Sequence, residues 1–489
     1  MADADKIEAL EKRLQEMETR LRHVEAARFK AAREAESLRE ENRILKEKVR
    51  ELTRRLGLCS ANSSQPPSSD KPWQKPKPKW RPTGRRPGGQ PGHERKTREP
   101  FEPEDIDREV PVLPGRCEGC DCLLHREDAI GAPVPHQVVD IPPVLAVVIQ
   151  YLLFEIRCRG CGHVTRAKLP EGVSPSLVGP RLQAIMAFLT GRCRLSRREA
   201  REIIAALFGE KALLSLGMVA KMERKTSETL ARAYDDALMA VQQAPFVHAD
   251  ETSWKEARKP AWLWTAATPL LRLFRIDRRR NREAFRRLLF AFTGILITDR
   301  WSVYRIHDAV LRQLCWAHIL RNFRGLEELG GEAKRLGVEG QKAVEAIFWW
   351  WHRFKGREIT RRGLQRGLAP IRERFRWLLG LHEKNPVPQA RAMVADLLEW
   401  EESLWTFARV EGIEPTNNLA ERTIRKAVLW RKGSYGSMSP AGSRFVERML
   451  TVCESLRAQG RSILDFLEES IRAALNGQAH PSLLPARAA

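Results

Sequence analysis

Three acids and four cysteines have the residue types and spacing that chemistry requires. Asp250 closes the short apolar run Phe246–Asp250 (FVHAD), and Asp299 follows the β-rich run Gly294–Thr298 (GILIT). Glu421 lies within Glu414–Ser434 (EPTNNLAERTIRKAVLWRKGS). There Pro415 ends any preceding helix, Asn417 and Asn418 are good N-cap residues, and Leu419–Trp430 reads as a helix. Leu419, Thr423, Ala427 and Trp430 share one face of it, with Glu421, Arg425 and Lys432 on or near another. An acid beside that many cations, close to a helix N-terminus, stays ionised and can hold a metal. Two acids at neighbouring strand ends and a third on a helix can bind two Mg²⁺ ions about 4 Å apart. Such ions activate a water or a 3′-hydroxyl and stabilise the leaving oxygen of a phosphodiester. Each acid also has an ordinary reading: Asp250 as a turn residue or cap, Asp299 as a cap, Glu421 as a capping-box partner of Asn418 paired with Arg425. Glu251, Asp308 and Glu414 are the nearest substitutes for the three, and His248 reads as a structural neighbour of Asp250.

Cys117-Glu-Gly-Cys120 and Cys158-Arg-Gly-Cys161 are two Cys-x2-Cys knuckles separated by 37 residues. A short loop lets two thiolates reach one ion and Gly permits the tight turn, so four such sulfurs suit a closed, structural Zn²⁺ site. A strand-rich insert over His136–Arg157 fills the gap. Cys122 is a spare thiol, His125 or His163 could replace a cysteine, and the alternative is four reduced cysteines without metal. Cys315 and His318 also have ligand-like spacing, but they are assigned a packing or site-shaping role. Arg425, Arg431 and Lys432 are candidate phosphate contacts, against the reading of a solvated basic face.

The elements that must position these groups follow from composition and pattern. A chain of 489 residues with 43% hydrophobic content holds two to four domains with real cores. Lys plus Arg is 85 and Asp plus Glu is 62, so the net charge of +23 points to a polyanionic partner, most simply nucleic acid. The N-terminus has no signal-peptide pattern, and the longest apolar run, Val144–Phe154, is too short to span a bilayer. Nine cysteines then suit reduced thiols and metal ligation, and a soluble, intracellular (cytoplasmic) protein without a membrane partner is expected.

A multidomain α+β organisation is expected. Residues 1–57 read as a coiled-coil zipper, with a positions from Ile7 to Leu56 and d positions from Leu10 to Leu52; Asn42 at an a position favours a homodimer in register. Residues 58–108 form a basic, Pro-rich linker, and 109–172 a zinc-binding module. Residues 173–243 are helical, with a possible helix-turn-helix whose reading helix starts at Ser215–Arg224. An α/β core follows in two parts, 244–325 and 411–440, around a helical insertion over 326–410, with a helical tail over 441–489.

Taken in order, these segments resemble the transposases of the insertion-sequence-66 family. The matching pieces are NSSQPPSSDKP and GRRPGGQPGH, the two cysteine knuckles, HADETSW, ITDRWSVY, CWAHILRNF and EPTNNLAERTIRKAVLWRKGSYGS. The resemblance implies a DDE catalytic domain with an RNase H-like fold, interrupted by a helical insertion in the 121 residues between Asp299 and Glu421. It implies that Asp250, Asp299 and Glu421 are the catalytic acids that bind Mg²⁺, for which Mn²⁺ can substitute. Arg300 departs from the small residue expected after the second acid. The expected activity is metal-dependent cleavage at the ends of a mobile element and strand transfer into target DNA, by a homodimer or larger assembly with helper proteins of the same element as possible partners. The alternatives are a DNA-binding regulator derived from an inactive transposase, or another RNase H-like DNA nuclease.

Overall fold

The computed structural model describes residues 100–485, the helical stretch 33–45 and scattered positions between 16 and 48. Most of the expected zipper and of the basic linker therefore lies outside the described residues. In chain order the main elements are β1 (Glu155–Arg157), β2 (Val164–Arg166), α1 (Pro180–Ala187), α2 (Arg197–Phe208), α3 (Leu216–Thr229) and α4 (Ala231–Gln242). Next come β3 (Phe246–Glu256), β4 (Lys259–Ala267), β5 (Arg272–Asp277), α5 (Arg282–Leu288), β6 (Ile295–Thr298) and β7 (Arg312–Leu314). The remaining helices are α6 (Trp316–Leu329), α7 (Gly331–Lys355), α8 (Arg361–Leu381), α9 (Pro388–Glu399), α10 (Thr406–Arg409), α11 (Asn418–Ser434), α12 (Pro440–Ala458) and α13 (Ile463–Leu475). No helix among the described residues is long and apolar enough to cross a membrane.

The described chain divides into two compact units: residues 100–314 with 416–485, and a second built on residues 315–415. The first is a mixed α+β unit built on a five-stranded sheet of order β5-β4-β3-β6-β7. β5, β4 and β3 run antiparallel, whereas β3, β6 and β7 run parallel. Side chains alternate across a strand, so each strand feeds two cores. On one side Trp254, Leu263, Phe274 and Ile276 pack with Ile424, Ala427 and Trp430 of α11 and with Phe445 and Met449 of α12. On the other, Val247, Ala249, Trp264 and Leu273 pack with Phe285 and Leu288 of α5 and with Tyr304. Each such fully buried large side chain contributes roughly 1.5–3 kcal/mol.

β3 differs from the short strand ending at Asp250 that its sequence suggests. It continues through Glu256, pairing antiparallel with β4 from His248↔Ala267 to Glu256↔Lys259. The strands are joined by Ala257 and Arg258, both with left-handed backbone (φ 50° and 63°). That conformation matches the strand twist of a two-residue hairpin but is usually signalled by Asn-Gly, which is absent here. Asp250 therefore sits inside a long strand rather than at its end.

In the same unit, α2 opens with a capping box between Ser196 and Glu199, and the Ser215 side chain caps α3. Arg197 binds the buried Glu223 at 2.6 Å, tying these two helices together.

The second unit is helical where described. The Trp316 N–H donates to the Pro415 carbonyl at 2.9 Å, so the segment's two ends meet. Trp316 is fully buried against Phe375 and Trp405, and its indole donates to the Leu404 carbonyl at 2.8 Å. α6 and α7 approach at backbone distance, since a Cβ on Gly337 would lie 2.5 Å from the Glu327 backbone nitrogen.

Candidate active site

The parallel pairing of β3 with β6 places the two aspartates. Its last pair is His248↔Ile297; Asp250 lies two residues further along β3, and Asp299 two residues further on, just past the end of β6. Neighbouring strands are about 4.8 Å apart, and a step of two keeps the side-chain direction, so the two carboxylates emerge side by side. Each is held by one backbone amide. The Glu251 N–H donates to Asp250 Oδ1 at 2.9 Å, and the Trp301 N–H donates to Asp299 Oδ1 at 2.9 Å. Oδ2 of both aspartates makes no hydrogen bond among the described residues.

Glu421 lies in the first turn of α11, on the sheet face where Trp254 packs. Asn417 precedes this helix, but its side chain does not cap it. Instead Nδ2 donates to the Ala249 carbonyl at 2.8 Å, and Oδ1 lies 3.2 Å from His248 Nδ1. The buried Asn417 thus fixes the start of the Glu421 helix to the strand of Asp250, and His248 supports that joint.

Glu251 points to the opposite side of the sheet and is not interchangeable with Asp250. Arg280 Nη2 donates to its Oε1 at 2.6 Å, and the Tyr304 hydroxyl donates to its Oε2. The Arg280 guanidinium stacks on Trp301 at 4.0 Å and on Trp262 at 4.5 Å. Trp301 is also the residue whose N–H holds Asp299, so one chain of contacts links the neighbours of both aspartates. Of the other substitutes, Asp308 caps the Val310 N–H at 3.0 Å, and Glu414 belongs to the helical unit, where it pairs with Lys355 at 3.3 Å.

The electrostatics match a crowded acidic site. Burial raises Asp250 well above the usual carboxylate range, and the charges of Glu251, Asp299 and Glu421 push it further up. Burial also raises Asp299, opposed by the Trp301 N–H and by Arg312, Arg280 and Arg300. Arg300 thus contributes a compensating charge. A divalent ion would relieve this repulsion, and the Oδ2 atoms offer hard oxygen donors, so the residues fit a Mg²⁺ site. The three acids do not supply oxygens within 4.8 Å of one another, as a single-ion cluster would. Two ions about 4 Å apart need a wider spacing.

Of the candidate phosphate contacts, Arg425 and Lys432 are exposed on α11. Arg431 is half-buried, and its Nη1 is held by Thr252 Oγ1 at 3.1 Å and by Ser253.

The two cysteine knuckles are built alike. Cys117 N–H donates to the Cys122 carbonyl (2.9 Å) as Cys158 N–H does to that of His163 (2.8 Å), and Asp121 and Gly162 return to the Cys117 and Cys158 carbonyls at 2.9 Å. Asp121 and Gly162 both take left-handed backbone. Each knuckle closes a small antiparallel pairing, Arg116↔Leu123 and Arg157↔Val164. The Cys122 backbone N–H, then the neighbouring Cys117 and Cys122 thiols, lower the Cys120 thiol, and the backbone N–H groups of Cys161 and Gly160 lower Cys158. Each knuckle fits half of a thiolate zinc site. Among the described residues, however, no three of these sulfurs lie within 4.8 Å of one another. Cys315 is buried at the start of α6, and the His318 N–H donates to its carbonyl at 3.1 Å.

Asn417, Glu251, Arg280 and Tyr304 carry the site's geometry without having been singled out as its supports by sequence. Asn417 looks like a helix cap, and the other three meet only through the fold.

Two relatives from Sinorhizobium fredii (strain NBRC 101917 / NGR234) match across most of the chain. The uncharacterized protein y4qI is 23% identical over 438 residues, 83% of this chain and 76% of its own. The uncharacterized protein y4hP is 25% identical over 402 residues, 74% of this chain and 71% of its own. Residues 3–99 match the profile of a family of unknown function. Residues 195–444, which include β3 to β7, α11 and all three acids, match the profile described as Transposase IS66 family. The chain belongs to that family.

Proposed function

We propose that the protein is a DNA transposase of the DDE type, with Asp250, Asp299 and Glu421 as its metal-binding acids. The observation that carries this reading is the side-by-side position of Asp250 and Asp299 beyond the last parallel pair, with the charge of Glu421 felt at Asp250. Three antiparallel strands followed by two parallel ones, with the acids beside the central strand, support an RNase H-like core. Two Mg²⁺ ions, or Mn²⁺ in their place, would supply activation of the attacking oxygen and charge neutralisation of the leaving one.

The chain's own residues do the rest. Asp250 and Asp299 present Oδ2 from fixed carboxylates, and Asn417 holds Glu421 at the same site. Arg280 and Tyr304 keep Glu251 from competing. Arg425, Lys432 and the part of the Arg431 guanidinium turned away from β3 would bind phosphates beside the scissile bond. Water adds across a phosphodiester at the element's end and leaves a 3′-hydroxyl. That hydroxyl then attacks a target phosphodiester and displaces its 3′ oxygen.

The two knuckles would close one structural zinc site through Cys117, Cys120, Cys158 and Cys161, and residues 173–243 would help to recognise the ends. The heptad positions Met17, Leu21, Val24, Leu38 and Leu45 are exposed, which supports pairing of two protomers through this stripe. Helper proteins of the same element, and a bacterial cytoplasmic location on the nucleoid, complete the proposal. The test is a labelled duplex carrying the element's own ends, incubated with Mg²⁺ and wild type or Asp299→Asn. The reading requires nicks with 3′-hydroxyls that the variant does not make; equal nicking by both would overturn it.

A further inference from the structure

The arginines of α8 divide into two sets. Arg361 donates to the Phe407 and Val410 carbonyls at 3.0 Å, and Arg372 holds Glu401 at 2.5 Å and Glu402 at 2.8 Å, so both serve the fold. Arg362, Arg366, Arg374 and Arg376 are exposed. Among the described residues, Arg362, Arg366 and Arg376 make no ion pair or hydrogen bond, and Arg374 meets only the more distant charge of Glu339. The rotation of the helix is fixed by its other side. Leu364, Leu368, Phe375 and Leu379 are buried, and a Cβ on Gly367 would lie 2.6 Å from the Trp350 ring. The outward arginines cannot turn in to find partners.

Arg362, Arg366 and Arg376 stand at i, i+4 and i+14, one stripe along the helix about 21 Å long. Glu373 is the one acid of α8. Trp377 stands among these arginines and is 61% exposed. A single exposed indole is ordinary by itself; what sets Trp377 apart is its position within the unpaired arginine stripe. Uncompensated guanidinium groups around an aromatic ring are how proteins hold nucleic acid, with cations on phosphates and a base stacked on the ring.

We propose that this face of α8 binds DNA, with Arg362, Arg366, Arg374 and Arg376 on the sugar–phosphate backbone and Trp377 stacked on an unpaired base. The site rests on the DNA reading above and deepens it, because a base released at a frayed or nicked end is what a strand-cutting protein meets. Sugar–phosphate supplies the matching charge, one per 1.7 Å of duplex axis.

The experiment measures binding of the full chain to a labelled duplex, with and without a short unpaired overhang, over a range of salt. Arg362→Gln/Arg366→Gln/Arg376→Gln should flatten the salt dependence by close to three phosphate contacts, a slope change of about 2.7. Trp377→Ala should lose about fivefold or more in affinity for the overhang substrate while duplex binding changes little, and Trp377→Phe should recover most of it. Arg372→Gln is the control, expected to lower thermal stability and leave the salt slope unchanged. A wild type that binds DNA with the same slope as the triple variant overturns the α8 site and leaves the transposase reading standing. A wild type that binds neither substrate overturns both.

Discussion

Asn417 Nδ2 donates to the Ala249 carbonyl at 2.8 Å, and that bond joins the helix of Glu421 to the strand of Asp250. The residues are 168 positions apart in sequence, and the bond is buried. Asn417→Ala should leave the Ala249 carbonyl unsatisfied and cost about 1–3 kcal/mol of stability. The nicking rate should fall further than that loss of folded protein explains, because Glu421 loses its anchor. Thermal unfolding and nicking, measured on the same preparation, check both parts.

Arg280 pairs with Glu251 on the side of the sheet opposite Asp250. Its side chain is 40% exposed, while that of Glu251 is 3% exposed, so removing Arg280 strands a buried carboxylate whose partner was partly solvated. Arg280→Ala should cost about 1–3 kcal/mol, below the range for a fully buried pair. Arg280→Lys keeps the charge but loses the fork and the stacking between Trp262 and Trp301, and should fall between. The Mg²⁺ concentration needed for half-maximal thermal stabilisation should rise in both variants.

Glu447 provides a pH signature away from the acids. Burial raises its carboxyl from 4.5 to about 7, partly opposed by Arg444 at 2.7 Å and by the Ile276 N–H. A carboxyl raised on folding costs nothing below pH 4.5, and its penalty grows as pH rises through 7. Wild type should therefore lose stability relative to Glu447→Gln between pH 5 and pH 8, by about 3 kcal/mol at most. Chemical denaturation at the two pH values measures the difference.

The cysteine knuckles should titrate one zinc per chain. Cys158→Ser should abolish that zinc, and proteolysis within residues 109–172 should become faster, as should treatment of wild type with a chelator. Metal content and limited proteolysis are the readouts, and neither depends on DNA cleavage.

Much of this was legible from sequence, and the gaps have identifiable causes. Acids that follow β-rich runs stand out locally, as Asp250 and Asp299 do, and the family follows from its ordered segments. The full length of β3 was not legible, because Ala257–Arg258 turns the chain without the Asn-Gly that usually marks such a hairpin. Asn417 misled in a specific way. Its propensity suits a cap, but its amide finds a stronger use on a neighbouring strand. Arg280 and Tyr304 carry no local signal at all, since only the closed sheet brings them to Glu251.

The most direct test of the central claim is nicking of a labelled duplex carrying the element's ends, with Mg²⁺ or Mn²⁺, by wild type and Glu421→Ala. Metal-dependent nicks that leave 3′-hydroxyls, with at least about a hundredfold loss in the variant, are predicted, the scale of several kcal/mol of charge stabilisation. Nicking by Glu421→Ala at the wild-type rate would contradict the assignment of the third acid and the account built on the helix that carries it.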